Sequence, residues 1–137
     1  MGRILAIDFG IKRTGIAVTD ELRLIASGLS TVSTKELLHF LKDYTQKECV
    51  DLFIVGEPKQ MDNSISESEL EIKSFLKKLT TFIPQIPVKR YDERFTSKMA
   101  FQAMIDGGVK KQKRKNKALI DEISATLILQ GYMDSIR

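Results

Sequence analysis

Asp8 ends an apolar run, Arg3-Ile4-Leu5-Ala6-Ile7-Asp8-Phe9-Gly10, and Lys12 and Arg13 follow it closely. A carboxylate at the tip of a buried strand is costly unless a cation or a hydrogen-bond donor meets it. With a glycine on one side and two cations nearby, this composition suits a metal ion and a phosphate better than a solvated loop. Two later segments end in the same chemistry. Asp51-Leu52-Phe53-Ile54-Val55-Gly56 runs into Glu57, and Val88 to Tyr91 runs into Asp92-Glu93-Arg94. Nearer the C-terminus Lys110, Lys111, Lys113, Arg114, Lys115 and Lys117 fall within eight residues. Such a run is either a solvated loop or a contact to a nucleic-acid backbone.

The elements that must position these groups follow from periodicity. Arg3 to Phe9 and Thr14 to Thr19 read as strands joined by a short basic turn, and Leu24 to Thr31 closes a three-stranded meander. Connections this short force antiparallel pairing. The spacing of Leu37, Leu38, Phe40, Leu41 and Tyr44 predicts a helix over Thr34 to Lys47. The apolar run from Asp51 to Gly56 is a strand buried on both faces. Leu70, Ile72, Phe75, Leu76, Leu79, Phe82 and Ile83 mark a second helix, closed by Pro84 and Pro87. Val88 to Tyr91 is the fifth strand. Thr96 or Ser97 caps a short helix that stops at Gly107-Gly108, and a last helix runs from Lys117 to Asp134 with Asn116 as its N-cap. The order β-β-β-α-β-α-β-α-α describes an α/β protein: a mixed five-stranded sheet, its first three strands antiparallel, flanked by helices. Sites in such sheets lie beyond the carboxyl ends of the parallel strands, where Asp8, Glu57, Asp92 and Glu93 sit. Strands one and four should be neighbours about 4.8 Å apart. Whether Glu57 then approaches Asp8 depends on side-chain direction, which the spacing leaves open.

Composition narrows the class. A chain of 137 residues suits a single domain, 1–137, and 42% hydrophobic with 29% charged residues is ordinary for a globular protein. No segment approaches the roughly 18 apolar residues of a membrane span, and Asp8 interrupts the apolar start, which argues against a signal peptide. One cysteine, Cys49, makes neither an internal disulfide nor a metal cluster, so a cytoplasmic protein with no membrane partner is expected. Cys49, just before an apolar strand, reads as a packing residue. The lone His39 reads as a surface or half-buried structural residue, since one histidine makes neither a triad nor a zinc site. Formal net charge is +4, modest overall and concentrated in the lysine-rich run.

Four blocks together resemble the YqgF family, also called RuvX-type Holliday-junction resolvases and pre-16S rRNA nucleases. They are Ile7-Asp8-Phe9-Gly10 with Gly15-Ile16-Ala17-Val18; Val55-Gly56-Glu57-Pro58 with Met61-Asp62; Tyr91-Asp92-Glu93-Arg94-Phe95-Thr96-Ser97; and Lys117 with Asp121-Glu122-Ile123-Ser124-Ala125 near Ile128-Leu129-Gln130. The resemblance spans essentially the whole chain, and the second pair of blocks is the specific one. It implies a ribonuclease H-like fold and a nuclease whose catalytic acids are Asp8, Glu93 and Asp121. The chain departs from the family at Asn63, where glycine is usual, and at Glu57, where an apolar residue is usual. Asn is the next best residue for a positive backbone torsion, so the turn can survive.

The implied chemistry is coherent. Hydrolysing a phosphodiester requires an activated water and a stabilised leaving oxygen, and a pair of divalent ions supplies both. Carboxylates suit Mg²⁺ or Mn²⁺, so Asp8, Glu93 and Asp121 are the expected ligands of two ions, with Glu57 a further candidate. Lys12, Arg13 and Arg94 are expected on phosphates, as are Lys111, Lys113, Arg114 and Lys115 in the loop before the Asp121 helix; Asn63 and Ser64 lie at the same end. No aromatic residue interleaves that loop, so backbone or shape recognition is expected. Each acid also has a plainer reading: Asp121 as a helix-dipole partner, Glu93 as an ion pair with Arg94. Processing of the 5′ end of precursor 16S rRNA, on the resemblance, competes with resolution of four-way DNA junctions and with non-catalytic RNA binding in ribosome assembly. A phosphate-loop ATPase is a further reading of Asp8-Phe9-Gly10, although those proteins enclose a nucleotide between two such domains. Junction resolution needs a dimer. A monomer or weak homodimer is expected, Tyr132 and Met133 being candidates for a contact patch.

Overall fold

The computed structural model describes residues 2–58, 68–106 and 117–137, apart from the side chains of Met99 and Asp106. The first apolar run forms β1 (Arg3–Asp8), followed by β2 (Arg13–Thr19) and β3 (Ala26–Ser33). Both successive pairs are antiparallel. β3 begins later than the hydrophobic pattern predicts. The Asp20 carboxylate accepts the backbone N–H groups of Leu24 and Ile25, at 2.8 Å each, and keeps both residues in the turn with exposed side chains.

A 3-10 turn, Thr34–Glu36, leads into α1 (Leu37–Lys47); then come β4 (Val50–Glu57), α2 (Glu69–Phe82) and β5 (Val88–Asp92). A second 3-10 turn, Glu93–Phe95, precedes α3 (Lys98–Asp106), and α4 (Lys117–Ser135) completes the described elements. β4 pairs parallel with β1 and with β5, giving the sheet order β3-β2-β1-β4-β5. The predicted element order and mixed sheet are therefore present. Asn116, the cations at positions 110–115, and Met61, Asp62, Asn63 and Ser64 lie outside the described residues.

Strand alternation divides the core into two layers. Leu5, Ile7, Ile16, Val18, Phe53 and Val55 pack against Leu37 and Leu41 of α1 and Ile72, Phe75 and Leu79 of α2. The intervening residues Ile4, Ala6, Ala17 and Ile54 pack against Ala125, Ile128, Leu129, Tyr132 and Met133 of α4. Each large apolar side chain so buried contributes roughly 1.5–3 kcal/mol. Tyr132 and Met133, candidates for a dimer patch, thus belong to the core: their spacing from Ile128 and Leu129 places them on the face that α4 lays on the sheet. Cys49 is exposed, its thiol 3.7 Å from the Asp51 carboxylate, because the chain turns outside the core before β4. His39 is exposed and meets the Phe82 ring edge-on.

An unanticipated ion pair fastens α2 to the sheet. Arg90 of β5 donates to both Glu69 oxygens, at 2.9 and 3.1 Å, and to the carbonyls of Val55 and Gly56. Glu69 is buried, and that bidentate partner replaces the water its carboxylate has lost.

Candidate active site

Asp8 closes β1 on the face toward α4, in phase with Ile4 and Ala6. Arg13 and Gly15 share that face on β2, in phase with Ala17. Gly15 pairs with Asp8 across the ladder, and a side chain at Gly15 would sit 2.0 Å from the carbonyl oxygen of Asp121. The absence of a side chain there lets α4 lie directly on β2, which brings Asp121 to the site. Gly56 serves the same purpose on β4: a Cβ there would fall 2.5 Å from Glu93 Oε1 and 2.8 Å from Ile128.

Glu93 opens the 3-10 turn immediately after β5 and is buried. Its Oε1 and Asp8 Oδ1 converge on one nitrogen, the Lys98 ammonium, at 3.1 and 2.8 Å. The two carboxylate oxygens are therefore at most about 6 Å apart, where two unit charges repel by about 3 kcal/mol at an effective dielectric of 20. Burial raises the pKa of both carboxyls above their ordinary values, the Lys98 charge opposes that rise, and each feels a second acid: Asp8 feels Asp121, and Glu93 feels Asp8. Burial disfavours the Lys98 charge, but the two carboxylates outweigh it and hold its pKa above the ordinary lysine value.

Asp121, just past the first turn of α4, accepts from Arg13 Nε at 2.8 Å. Arg13 is thus tied to an acid of the site, and Lys12 is exposed. Arg94 folds back on Asp92, donating through Nη2 at 2.6 Å and through its backbone N–H at 2.9 Å; the charge of Glu57 adds to its stabilisation. Glu57 is not brought to Asp8. Phe53 and Val55 face α1 and α2 while Ile54 and Gly56 face α4, so alternation assigns Glu57 to the face opposite Asp8. Lys117 is exposed at the start of α4; Lys111, Lys113, Arg114 and Lys115 lie outside the described residues. Among the described residues no three His, Cys, Asp or Glu side chains are gathered tightly enough to share one ion: Asp8 and Glu93 form the close pair, and Asp121 stands beside them on Arg13.

Thr96 locks the pair. Its hydroxyl donates to the Glu93 carbonyl at 2.7 Å and accepts the Lys98 N–H at 3.1 Å, so of the two candidates, Thr96 and Ser97, the side chain of Thr96 bonds the start of α3. Lys98 itself escaped the sequence reading. The signal was there: a lysine in the first turn of a helix faces the positive end of the macrodipole, a conflict that a carboxylate partner resolves.

Known proteins share the sequence and the fold of this chain. The model of the RuvX family, described as Holliday junction resolvase, matches residues 2–135. A protein of Christiangramia forsetii named "Putative pre-16S rRNA nuclease" is 61% identical over 97% of this chain and 98% of its own length. Proteins of the same name from Phocaeicola vulgatus and Flavobacterium johnsoniae are 59% and 57% identical over 98% and 100% of this chain, and 97% and 99% of theirs. Among solved structures, Thermus thermophilus RuvC in complex with a Holliday junction substrate superposes with a TM-score of 0.60, at 16% identity, over 99% of this chain and 96% of that one; this shows a shared ribonuclease H-like fold. From the full-length family match and these identities, the chain belongs to the RuvX family.

Proposed function

We propose that this protein is a nuclease that hydrolyses phosphodiester bonds in nucleic acid, with the 5′ end of precursor 16S rRNA as its substrate and Asp8, Glu93 and Asp121 as its catalytic acids. Such a substrate places its work in the cytoplasm. One observation carries the reading: a half-buried Asp8 and a buried Glu93, from distant parts of the chain, converge on a single positive charge at the C-terminal edge of the parallel strands. The full-length relatives named for pre-16S rRNA support the substrate class. The family description and the RuvC-like fold support four-way DNA junctions as the competing substrate.

The donor set fits hard divalent cations. It consists of carboxylate oxygens, held in low-exposure positions where their mutual repulsion calls for a cation. Mg²⁺ or Mn²⁺, as a pair of ions held by Asp8, Glu93 and Asp121, would supply an activated water and charge stabilisation for the leaving oxygen. The chain's own residues do the rest. Arg13 releases Asp121 and takes a backbone phosphate, a partner its planar guanidinium binds bidentately. Lys12 and the cations Lys111, Lys113, Arg114, Lys115 and Lys117 track the strand beyond it. Arg94, held by Asp92 and Glu57, orients the Glu93 turn and can turn to a phosphate from there.

The test is cleavage of a precursor 16S rRNA fragment and of a four-way DNA junction in Mg²⁺ and in Mn²⁺, by wild type, Asp8→Asn, Glu93→Gln and Asp121→Asn. The expected result is rRNA cleavage by wild type and a loss of at least a hundredfold in each variant, with unchanged circular dichroism. Junction cleavage alone would reassign the substrate. Wild-type rates in all three variants would overturn the assignment of the acids.

A further inference from the structure

The ammonium of Lys98 lies where a cation bridging Asp8 and Glu93 would lie. It is 2.8 Å from one carboxylate and 3.1 Å from the other, and its side chain is only 20% exposed. An ammonium is a compact point charge with three donors; here one goes to each acid. A divalent ion that bound the same two oxygens would have to stand within contact distance of this nitrogen, an arrangement of like charges that a half-buried site does not tolerate. The lysine has freedom to leave: its four-carbon stem is flexible, and Thr96 fastens only its backbone. Glu93 stays behind, since the same Thr96 hydroxyl holds its carbonyl.

We propose that Lys98 is a built-in counter-cation: in the metal-free protein its ammonium fills the position between Asp8 and Glu93, and a divalent ion binds there by displacing it. This rests on the reading of Asp8 and Glu93 as metal ligands, and adds a residue that sets how tightly they bind. The site stays assembled without metal, at the expense of affinity for it. Loading becomes an exchange of one charged group for another.

The test measures Mn²⁺ affinity, by the electron paramagnetic resonance of free Mn²⁺, in wild type, Lys98→Met, Lys98→Gln and Lys98→Arg, each checked for folding by circular dichroism. Lys98→Met and Lys98→Gln are expected to bind at least tenfold more tightly than wild type, and Lys98→Arg to resemble it. Equal affinity in wild type and in the two uncharged variants overturns the exchange while leaving the metal reading intact. Absence of binding in every form overturns both. A second readout is the lysine ammonium ¹H–¹⁵N spectrum. A slowly exchanging signal is expected in metal-free wild type, missing in Lys98→Met and abolished by saturating Mg²⁺. Its persistence in saturating Mg²⁺ would also overturn the proposal.

Discussion

Gly15→Ala is the sharpest probe of how the site is assembled. The added Cβ would lie 2.0 Å from the carbonyl oxygen of Asp121 and 2.4 Å from its carbonyl carbon. A relaxed carbon–oxygen contact needs about 3.3 Å, so α4 must withdraw by about 1.3 Å at this point or β2 must bend. Both groups are backbone, inside a ladder and a helix, and no flexible side chain can absorb the clash. Overpacking of this kind typically costs 1–3 kcal/mol, and the entropic gain of Ala over Gly in the unfolded chain returns less than about 1 kcal/mol. A net loss of about 1–2 kcal/mol lowers the melting temperature of a domain this size by roughly 3–10 °C. The same withdrawal stretches the Arg13–Asp121 bond from 2.8 Å to beyond hydrogen-bonding reach. It also displaces Asp121, a proposed catalytic acid, and an error of about 1 Å at a reacting centre costs on the order of a hundredfold in rate. The assay pairs thermal unfolding by circular dichroism with rRNA cleavage. Gly28→Ala is the control, because its Cβ would meet side chains and no backbone, Glu122 at 3.1 and 3.3 Å and the Thr126 hydroxyl at 3.5 Å; a shift under about 3 °C is expected there. If Gly15→Ala melts within 2 °C of wild type and cleaves at its rate, α4 is not seated on β2 as described and the placement of Asp121 falls with it.

Three other outcomes are expected. Arg90→Met strands the buried Glu69 carboxylate and removes two bonds to β4 carbonyls, and should destabilise by about 3 kcal/mol in urea titrations; Glu69→Gln should lose less, and equal stability of Arg90→Met and wild type would refute the role of this pair. Thr96→Val removes the cap that joins Glu93 to Lys98 and should lose about 1 kcal/mol while lowering kcat, and Thr96→Ser should restore both; no recovery by serine would disprove the hydroxyl's part. In EDTA, Asp8 and Glu93 have folded-state pKa values raised by burial, so the folded protein holds protons that the unfolded chain releases. Their contribution to stability is complete below the ordinary values of 3.8 and 4.5 and is lost as pH rises through the higher folded ones. Wild type should therefore lose stability relative to Asp8→Asn as pH climbs above 3.8 toward neutrality; a difference that is flat with pH would contradict the burial of this acid.

What could be read in the chain was whatever repeats along it. The period-2 and helical runs located β1, β2, β4, β5 and the four helices, and short against long connections gave strand direction. That Asp8 and Glu93 lie at one sheet edge was legible because Asp8 ends β1 and Glu93 directly follows β5, at the edge where such sheets bind ligands. What escaped were pairings across the fold. Arg13 looks like a free phosphate contact until α4 delivers Asp121 to it. Arg90 looks like an exposed strand residue until α2 supplies Glu69. Glu57 is one residue from Gly56 in sequence and on the other face in space, since a pleat turns each successive side chain over. The start of β3 was missed because Asp20 hydrogen-bonds the turn, a local contest between side chain and ladder that hydrophobicity does not register.

The second core layer also constrains how the protein is made. Ile4, Ala6, Ala17 and Ile54 are covered by α4, so a nascent chain whose ribosome has not yet released residues 117–135 carries a greasy, uncovered sheet face and lacks Asp121. The second core layer, and with it the position of Asp121, is therefore completed only late in translation. A fragment ending before Lys117 would leave that apolar face open to solvent, the kind of surface that aggregates or is captured by chaperones.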